Sequence, residues 1–358
     1  LIKENEIDEF LSQVEFLYSN GVDAILMQDF GMICLCLKKY PNLEIHASTQ
    51  AHNSSLQGID FLYKLGVKRV VLPREMSLDE IKLIKTPIEK EVFIHGALCV
   101  SYSGRCLISQ VLGGRSGNRG ECAGCCRFKW KLYKSDKLLK EGYLLSMKEL
   151  NLSDDVLKLV PYVDSLKIEG RMKSIHYIAT VVKCYRMMID EYEKTGDIKD
   201  YDYYMNFLKK AENRLTSYGF LRGMTDISEQ LYNSRSENPT QDFVGIVLDY
   251  DEKTQMAKIE VRNFFLPHSK LEVFGPHMKE EIIQIEDCYN EDGDILDACR
   301  HPKDIIYFNI SKIEVICFNT GVCFLVIKTI LDEGAMFEDL LNFNYKFRDI
   351  NQEGIKLD

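Results

Sequence analysis

The sequence predicts an α/β chain with two architectures in series: a parallel βα domain, then a small β domain. Three observations carry this. Short apolar runs alternate with helix-period segments as far as residue 194. Beyond residue 242 apolar residues recur at every second position instead. Between them the alternation is interrupted by a glycine-rich loop that holds five of the twelve cysteines. The expected division is a βα domain over 1–225, a polar linker over 226–241, a β domain over 242–330 and a tail over 331–358.

Each element has its own signal. Ile7, Phe10, Leu11, Val14, Leu17 and Tyr18 share one helix face, and Gly21 follows where a C-cap glycine belongs. Ala24 to Met27 reads as a buried strand, and Phe30 to Lys39 as a helix stopped by Pro41, with Cys34 and Cys36 as core residues. Leu43 to Ala47 and Arg69 to Leu72 are strands. Ser54 to Leu65 is a helix ended by Gly66, and Ser77 to Lys85 one opened by a Ser77/Glu80 capping box. Val92 to Ile94 is the strand that leads into the cysteine loop. After the loop come short strands at Phe128 to Tyr133 and Tyr143 to Leu145, a helix over Leu150 to Leu159, a strand at Ser165 to Ile168 and a helix over about Ser174 to Lys194. In the β domain, Val244, Ile246 and Leu248 alternate, Asp251 to Thr254 turns, and Ala257, Ile259 and Val261 return as the second arm of a hairpin. Leu271 to Phe274, Ile282 to Ile285 and Ile305 to Phe308 add strands, and regular short strands between turns suggest a small β-barrel or sandwich.

The loop runs HGALCVSYSGRCLISQVLGGRSGNRGECAGCCR from His95. Its cysteines are spaced Cys-x6-Cys-x15-Cys-x3-Cys if Cys126 is the last of a ligand set, or end in Cys-x2-Cys if Cys125 is. Neither is a zinc ribbon. Thiols packed as small hydrophobes are the plainer explanation for any one of them. Five within twenty-eight residues, among glycines that let backbone fold around a ligand, point to a soft metal centre. Spacing does not separate zinc from iron–sulfur.

Hydrophobic residues are 46% and charged residues 28%, as in ordinary globular proteins, and no apolar run is long enough for a membrane span. Reduced cysteines suggest a cytoplasmic setting. The net charge of −10 argues against indiscriminate nucleic-acid binding. It is unevenly spread: Arg105 to Lys140 carries nine basic residues against two acidic, so this segment is +7 and the remainder −17. Such a patch attracts phosphate, with Tyr102, Phe128 and Trp130 beside it to stack on bases; a solvated charged face and core packing are the alternatives.

The loop, together with Ser165-Leu-Lys-Ile-Glu-Gly-Arg-Met-Lys-Ser174, resembles the two hallmark blocks of the collagenase-like family called peptidase U32. The resemblance implies a TIM-barrel-like domain whose first three strands would precede Leu1; five βα strands, near residues 25, 45, 70, 93 and 166, are countable here. An open doubly wound sheet is the alternative. It also implies a 4Fe–4S cluster on Cys99, Cys106, Cys122 and Cys126. The family usually has proline at Cys125, which leaves that thiol spare or a substitute ligand. The chain looks most like the branch that makes 5-hydroxyuridine at the tRNA wobble position, using prephenate as co-substrate, with tRNA as partner.

Functional groups of parallel βα domains gather at the C-terminal ends of strands. Those ends present His46 and Gln50; Arg74 and Glu75; His95; and Lys167, Glu169, Arg171 and Lys173. Glu75 and Glu169 are candidate acid–base groups, and His95 a proton shuttle, ligand or loop-bonded histidine. Arg171 and Lys173 suit a carboxylate or phosphate, with Arg105, Arg119, His46 and Gln50 as further substrate contacts. A plain ion pair between Glu169 and Arg171 is the alternative. Proteolysis is the second functional reading, although no HExxH or GxSxG occurs. A non-catalytic, metal-stapled scaffold that binds RNA or protein is the third. A protein partner or oligomer is compatible with each.

Overall fold

The computed structural model describes residues 1–211, 214–231, 243–251, 253–275, 280–310 and the strand at 325–326. Most of the expected linker and the whole 331–358 tail lie outside them. The chain divides into two compact units, each described separately below: Leu1–Glu169 with Arg214–Glu237, and Gly170–Asn213 with Asn238–Asp358.

The first unit is built on parallel strands β1 (Ala24–Met27), β2 (Glu44–Ala47), β3 (Arg69–Val71), β4 (Glu89–Gly96) and β8 (Ser165–Ile168), in the order β1-β2-β3-β4 with β8 on β4. The intervening helices are α1 (Ile7–Ser19), α2 (Phe30–Lys39), α3 (Leu56–Leu65) and α4 (Leu78–Leu83). Their ends follow local chemistry. Asp29 accepts from the Gly31 and Met32 amides to start α2, and Ser77 and Glu80 form a reciprocal capping box on α4. Among the described residues these strands form an open sheet rather than a closed barrel.

The registers give the sheet two unlike faces. Ile25, Ile45, Val70, Val92 and Leu166 align on one. His46, Arg69, Glu91, Phe93 and Lys167 align on the other. Parallel sheets are ordinarily apolar on both faces. The exception is stabilised by an ionic network. Glu91, with no exposed surface, accepts from Arg69 Nη1 at 3.4 Å, from Ser165 Oγ at 3.2 Å and from Lys167 Nζ. Arg69 also pairs with Glu89 at 2.7 Å.

Three expectations fail here. The segment from Leu150 is not helical throughout: β7 (Glu149–Asn151) pairs antiparallel with the end of β4, and α6 spans only Val156–Leu159. Asn151 Oδ1 accepts from Ser153 N at 3.1 Å and from its hydroxyl at 2.7 Å, a local turn that delays the helix. The strand expected at Tyr143 to Leu145 is absent; β5 (Trp130–Lys134) instead pairs with β6 (Lys137–Gly142) as a hairpin. Cys36 is buried, but Cys34 faces solvent, one position round the helix from the core stripe. Strand β9 (Thr216–Ser217) joins β7.

The second unit holds α7 (Ile175–Thr195), α8 (Tyr201–Lys209) and two small antiparallel sheets. One has the order β10 (Gly245–Asp251), β11 (Met256–Val261), β16 (Ile305–Asn309), β14 (Cys288–Tyr289), β15 (Ile295–Leu296). The other has β13 (Glu281–Gln284), β12 (Lys270–Val273), β17 (Leu325–Val326). Leu248 does not continue the inward row of Val244 and Ile246. A bulge between Val247 and Asp249 turns it out, and it is 49% exposed. His176 of α7 is buried, stacked on Phe243 with centroids 5.7 Å apart, and its Nε2 has no hydrogen-bond partner among the described residues. Among those residues no helix is long and apolar enough to cross a membrane.

Two stability predictions result. Glu91→Ala strands buried cations and should cost about 3–5 kcal/mol, read as a lower urea midpoint. Burial first of all, with Lys210 adding to it, lowers His176 from 6.5 to about 4. Below its unfolded pKa the unfolded chain takes up a proton that the folded chain refuses. Stability should therefore be intact above pH 6.5 and fall as pH drops towards about 4, by roughly 3 kcal/mol in all. His176→Phe should flatten that part of a pH–stability curve.

Candidate functional site

The glycine-rich loop is moored at the C-terminal ends of the parallel strands. Past β1, Gln28 Nε2 donates to the Asn118 carbonyl at 2.8 Å. Past β2, His52 Nδ1 meets the Ser103 carbonyl at 3.2 Å. Gly104, at φ +73, lies so close to Gln50 that a Cβ there would stand 2.0 Å from the Gln50 carbonyl oxygen. Past β3, Glu75 takes the Ser103 amide on Oε1 at 2.7 Å and the Ser103 hydroxyl on Oε2 at 2.9 Å. At the end of β4, Gly96 (φ +112) packs on Glu169, whose backbone amide donates to the His95 carbonyl at 2.9 Å.

These moorings bring thiols together. Cys126 is close enough to Cys99, Cys106 and Cys122 for each to raise its pKa, and Cys106 and Cys122 do the same to Cys99. Desolvation is the larger cause of the upward shift in both, opposed by Arg74 and Arg127 at Cys99 and by Arg127 at Cys126. Cys99 and Cys122 keep exposed surface, and Cys106 and Cys126 are half-buried. Cys125 behaves differently. It is buried, and the hydroxyl of Ser109, itself buried in the short helix α5 (Ile108–Gly113), lies 3.7 Å from its Sγ and 3.8 Å from that of Cys122. Ser109 also accepts from the Ala123 amide at 3.0 Å, which folds the last three cysteines back over α5. Among the described residues, no three His, Cys, Asp or Glu side chains are arranged to hold a single metal ion.

Arg74, which the sequence offered only as a strand-end residue, lies at the centre of this site. Its guanidinium lies 3.7 Å from the Phe93 ring centroid and 3.5 Å from Glu169 Oε2. Burial lowers its pKa, while Cys99, Glu169 and Glu75 pull it back up. Its signal was position alone: the residue just past β3. Ser103 and Ser109 had no signal in the sequence, because a serine shows its partners only once the loop is folded.

The other candidates are placed less centrally. His95 is buried at the end of β4. His46 is buried and paired with Glu44 at 2.8 Å. The Gln50 and Arg105 side chains are exposed. Arg119 is engaged with both oxygens of Glu6, at 2.8 and 3.0 Å. Arg171 and Lys173 belong to the second unit, where Lys173 Nζ lies 4.6 Å from the Tyr177 ring centroid. Glu75, Glu169 and the cysteines thus belong to one unit, and Arg171 and Lys173 to the other.

The profile of peptidase family U32 matches residues 1–231, and that of the U32 C-terminal domain matches 239–316. The chain belongs to peptidase family U32. Among its U32 relatives is a tRNA hydroxylation protein of Bacillus subtilis, 40% identical over 306 residues, which are 82% of this chain and 72% of that protein. A 23S rRNA 5-hydroxycytidine synthase of Escherichia coli is 39% identical over 205 residues, 55% of this chain and 31% of that protein. An uncharacterized protease of Methanocaldococcus jannaschii is 33% identical, with 73% and 67% covered. Names of both kinds therefore occur within one family.

The Glu75–Ser103 clamp yields a third prediction. Glu75→Ala leaves the Ser103 amide and hydroxyl without their acceptor and should cost about 1–3 kcal/mol. Hydrogen exchange should show lost protection at Ser103 and its loop neighbours, with β1 to β4 unchanged.

Proposed function

We propose that this chain hydroxylates a pyrimidine base of RNA, at the tRNA wobble uridine to give 5-hydroxyuridine, with a 4Fe–4S cluster and prephenate as co-substrate. The observation that carries the reading is that Cys99, Cys106 and Cys122 lie close enough to Cys126 to act on its ionisation, while Cys125 is buried. The activities for which the Bacillus and Escherichia relatives are named point the same way. The donor set fits the group. A single tetrahedral ion needs its sulfurs about 2.3 Å from one point, whereas a 4Fe–4S cluster takes four cysteine thiolates, one on each iron. Arg74 and Arg127 favour the thiolate form at Cys99. When bound, such a cluster supplies one-electron redox chemistry.

The chain's own residues have separable tasks. Glu75 has both oxygens committed to Ser103, so it holds the loop. Glu169, beside Arg74 and only partly covered, is the better acid–base group. Exposed Arg105 is available for an anion beside the thiols. Arg171 and Lys173 are assigned to the carboxylates of prephenate, because a guanidinium fork and an ammonium suit two such groups. The finer reading of the parallel sheet is a TIM-barrel-like domain, supported by its consecutive βα units.

Proteolysis finds little support. Ser103 Oγ donates to Glu75, while His52 meets the Ser103 carbonyl instead of the hydroxyl, so among the described residues no histidine is set to take the hydroxyl proton.

Protein purified without oxygen should be brown. Cys106→Ser should lose the colour, the iron and the modified nucleoside in tRNA from a complemented strain, while Cys125→Ala should keep all three. A colourless wild-type protein without iron would overturn the cluster assignment. Unchanged nucleosides in a strain lacking the gene would overturn the reaction.

A further inference from the structure

The β5–β6 hairpin follows directly after the last cysteine of the loop and, among the described residues, pairs with no other strand. Every residue from Lys131 to Glu141 is exposed, on both faces. A two-stranded ribbon with no covered face is marginal by itself. Between Phe128 and Tyr143 it carries five lysines against two acids, in a chain of net charge −10.

The register sorts these charges. In β5, Trp130, Leu132 and Lys134 share a face by simple alternation. Opposite them stand Gly142, Lys140 and Lys137. Strict alternation along β6 would put Lys137 and Lys140 on opposite faces, since they are three apart. The register shift between Leu132 and Tyr133 inserts Leu139 as an extra residue and turns Lys137 to the side of Lys140. One face therefore presents Lys134, Lys137 and Lys140 beside Trp130. The reverse face has Tyr133 opposite Leu138 and Lys131 opposite Glu141, the latter paired at 3.8 Å. At the tip Lys134 and Lys137 are directly opposed, across a two-residue turn that holds Ser135 at φ +51. Like charges in that relation repel. An anion laid across both relieves the repulsion.

We propose that this hairpin is an arm that grips RNA through its phosphate backbone, with Lys134, Lys137 and Lys140 as the contacts and Trp130 as an adjoining stacking surface. The proposal rests on the RNA-hydroxylation reading and adds where the RNA is held outside the reacting base. The occupant is argued from charge: three cations on one ribbon face match the close spacing of nucleic-acid phosphates, and an aromatic beside them suits unpaired bases.

The test uses the full chain, purified without oxygen, and fluorescently labelled unfractionated tRNA, with anisotropy followed across a salt series. The triple variant Lys134→Gln, Lys137→Gln, Lys140→Gln should bind roughly tenfold or more weakly at about 0.1 M salt, with its log affinity–log salt slope shallower by about two to three. The corresponding triple arginine variant should recover wild-type affinity and slope. Circular dichroism and visible absorbance should be unchanged, because all three positions are exposed. Wild-type affinity and slope in the glutamine variant would overturn the arm and leave the RNA reading standing. Unchanged tRNA affinity with the modification lost would give the arm to a protein partner and likewise overturn it. A wild-type protein with no salt-dependent affinity for tRNA would overturn the arm and the RNA reading together.

Discussion

The site depends on the hold that strand ends exert on one long loop. A segment with this much glycine has a large conformational entropy to lose, and its own short helix cannot fix it. What fixes it are contacts distributed over the sheet's C-terminal edge: Gln28 on Asn118, Gln50 under Gly104, Glu75 on Ser103, and Glu169 against Gly96. Glu75 matters most among them, because it satisfies a backbone amide and a hydroxyl with one carboxylate. Each mooring residue follows closely on the end of a parallel strand, so the thiols inherit the order of the sheet.

Much of the fold was legible because the βα units obey local rules. The first strand and helix α2 match their predicted limits, since Asp29 and Pro41 punctuate the chain there. The Ser77/Glu80 box is formed as read. Failures occurred where side-chain bonds or bulges override periodicity. Asn151 turns its own chain, Leu248 is turned out of the inward row of its strand, and α8 was passed over because half of its apolar positions are tyrosines. Closure of a sheet cannot be counted from strands alone, and the described strands leave it open.

At the site, the cysteines and the strand-end carboxylates were visible as residue types on a loop. Their division of labour was not. Cys125 and Cys126 are neighbours of the same type, and only the fold shows one sulfur against Ser109 and the other among thiols. Arg119 read as a free cation in a basic run, yet Glu6, more than a hundred positions away, holds it. The buried Glu91–Arg69–Lys167 network left no trace in the pattern, because charged residues in a strand usually mark its wet face.

The close approach of Gly104 to Gln50 has a mutational corollary. The loop's path is dictated there by main chain on main chain, where nothing larger than hydrogen fits. Outward side chains such as Arg105, Leu107 and Val111 take no part in that contact. Replacing Gly104 would therefore force main chain apart and reroute the thiol loop, whereas changes at those outward positions would leave its path intact.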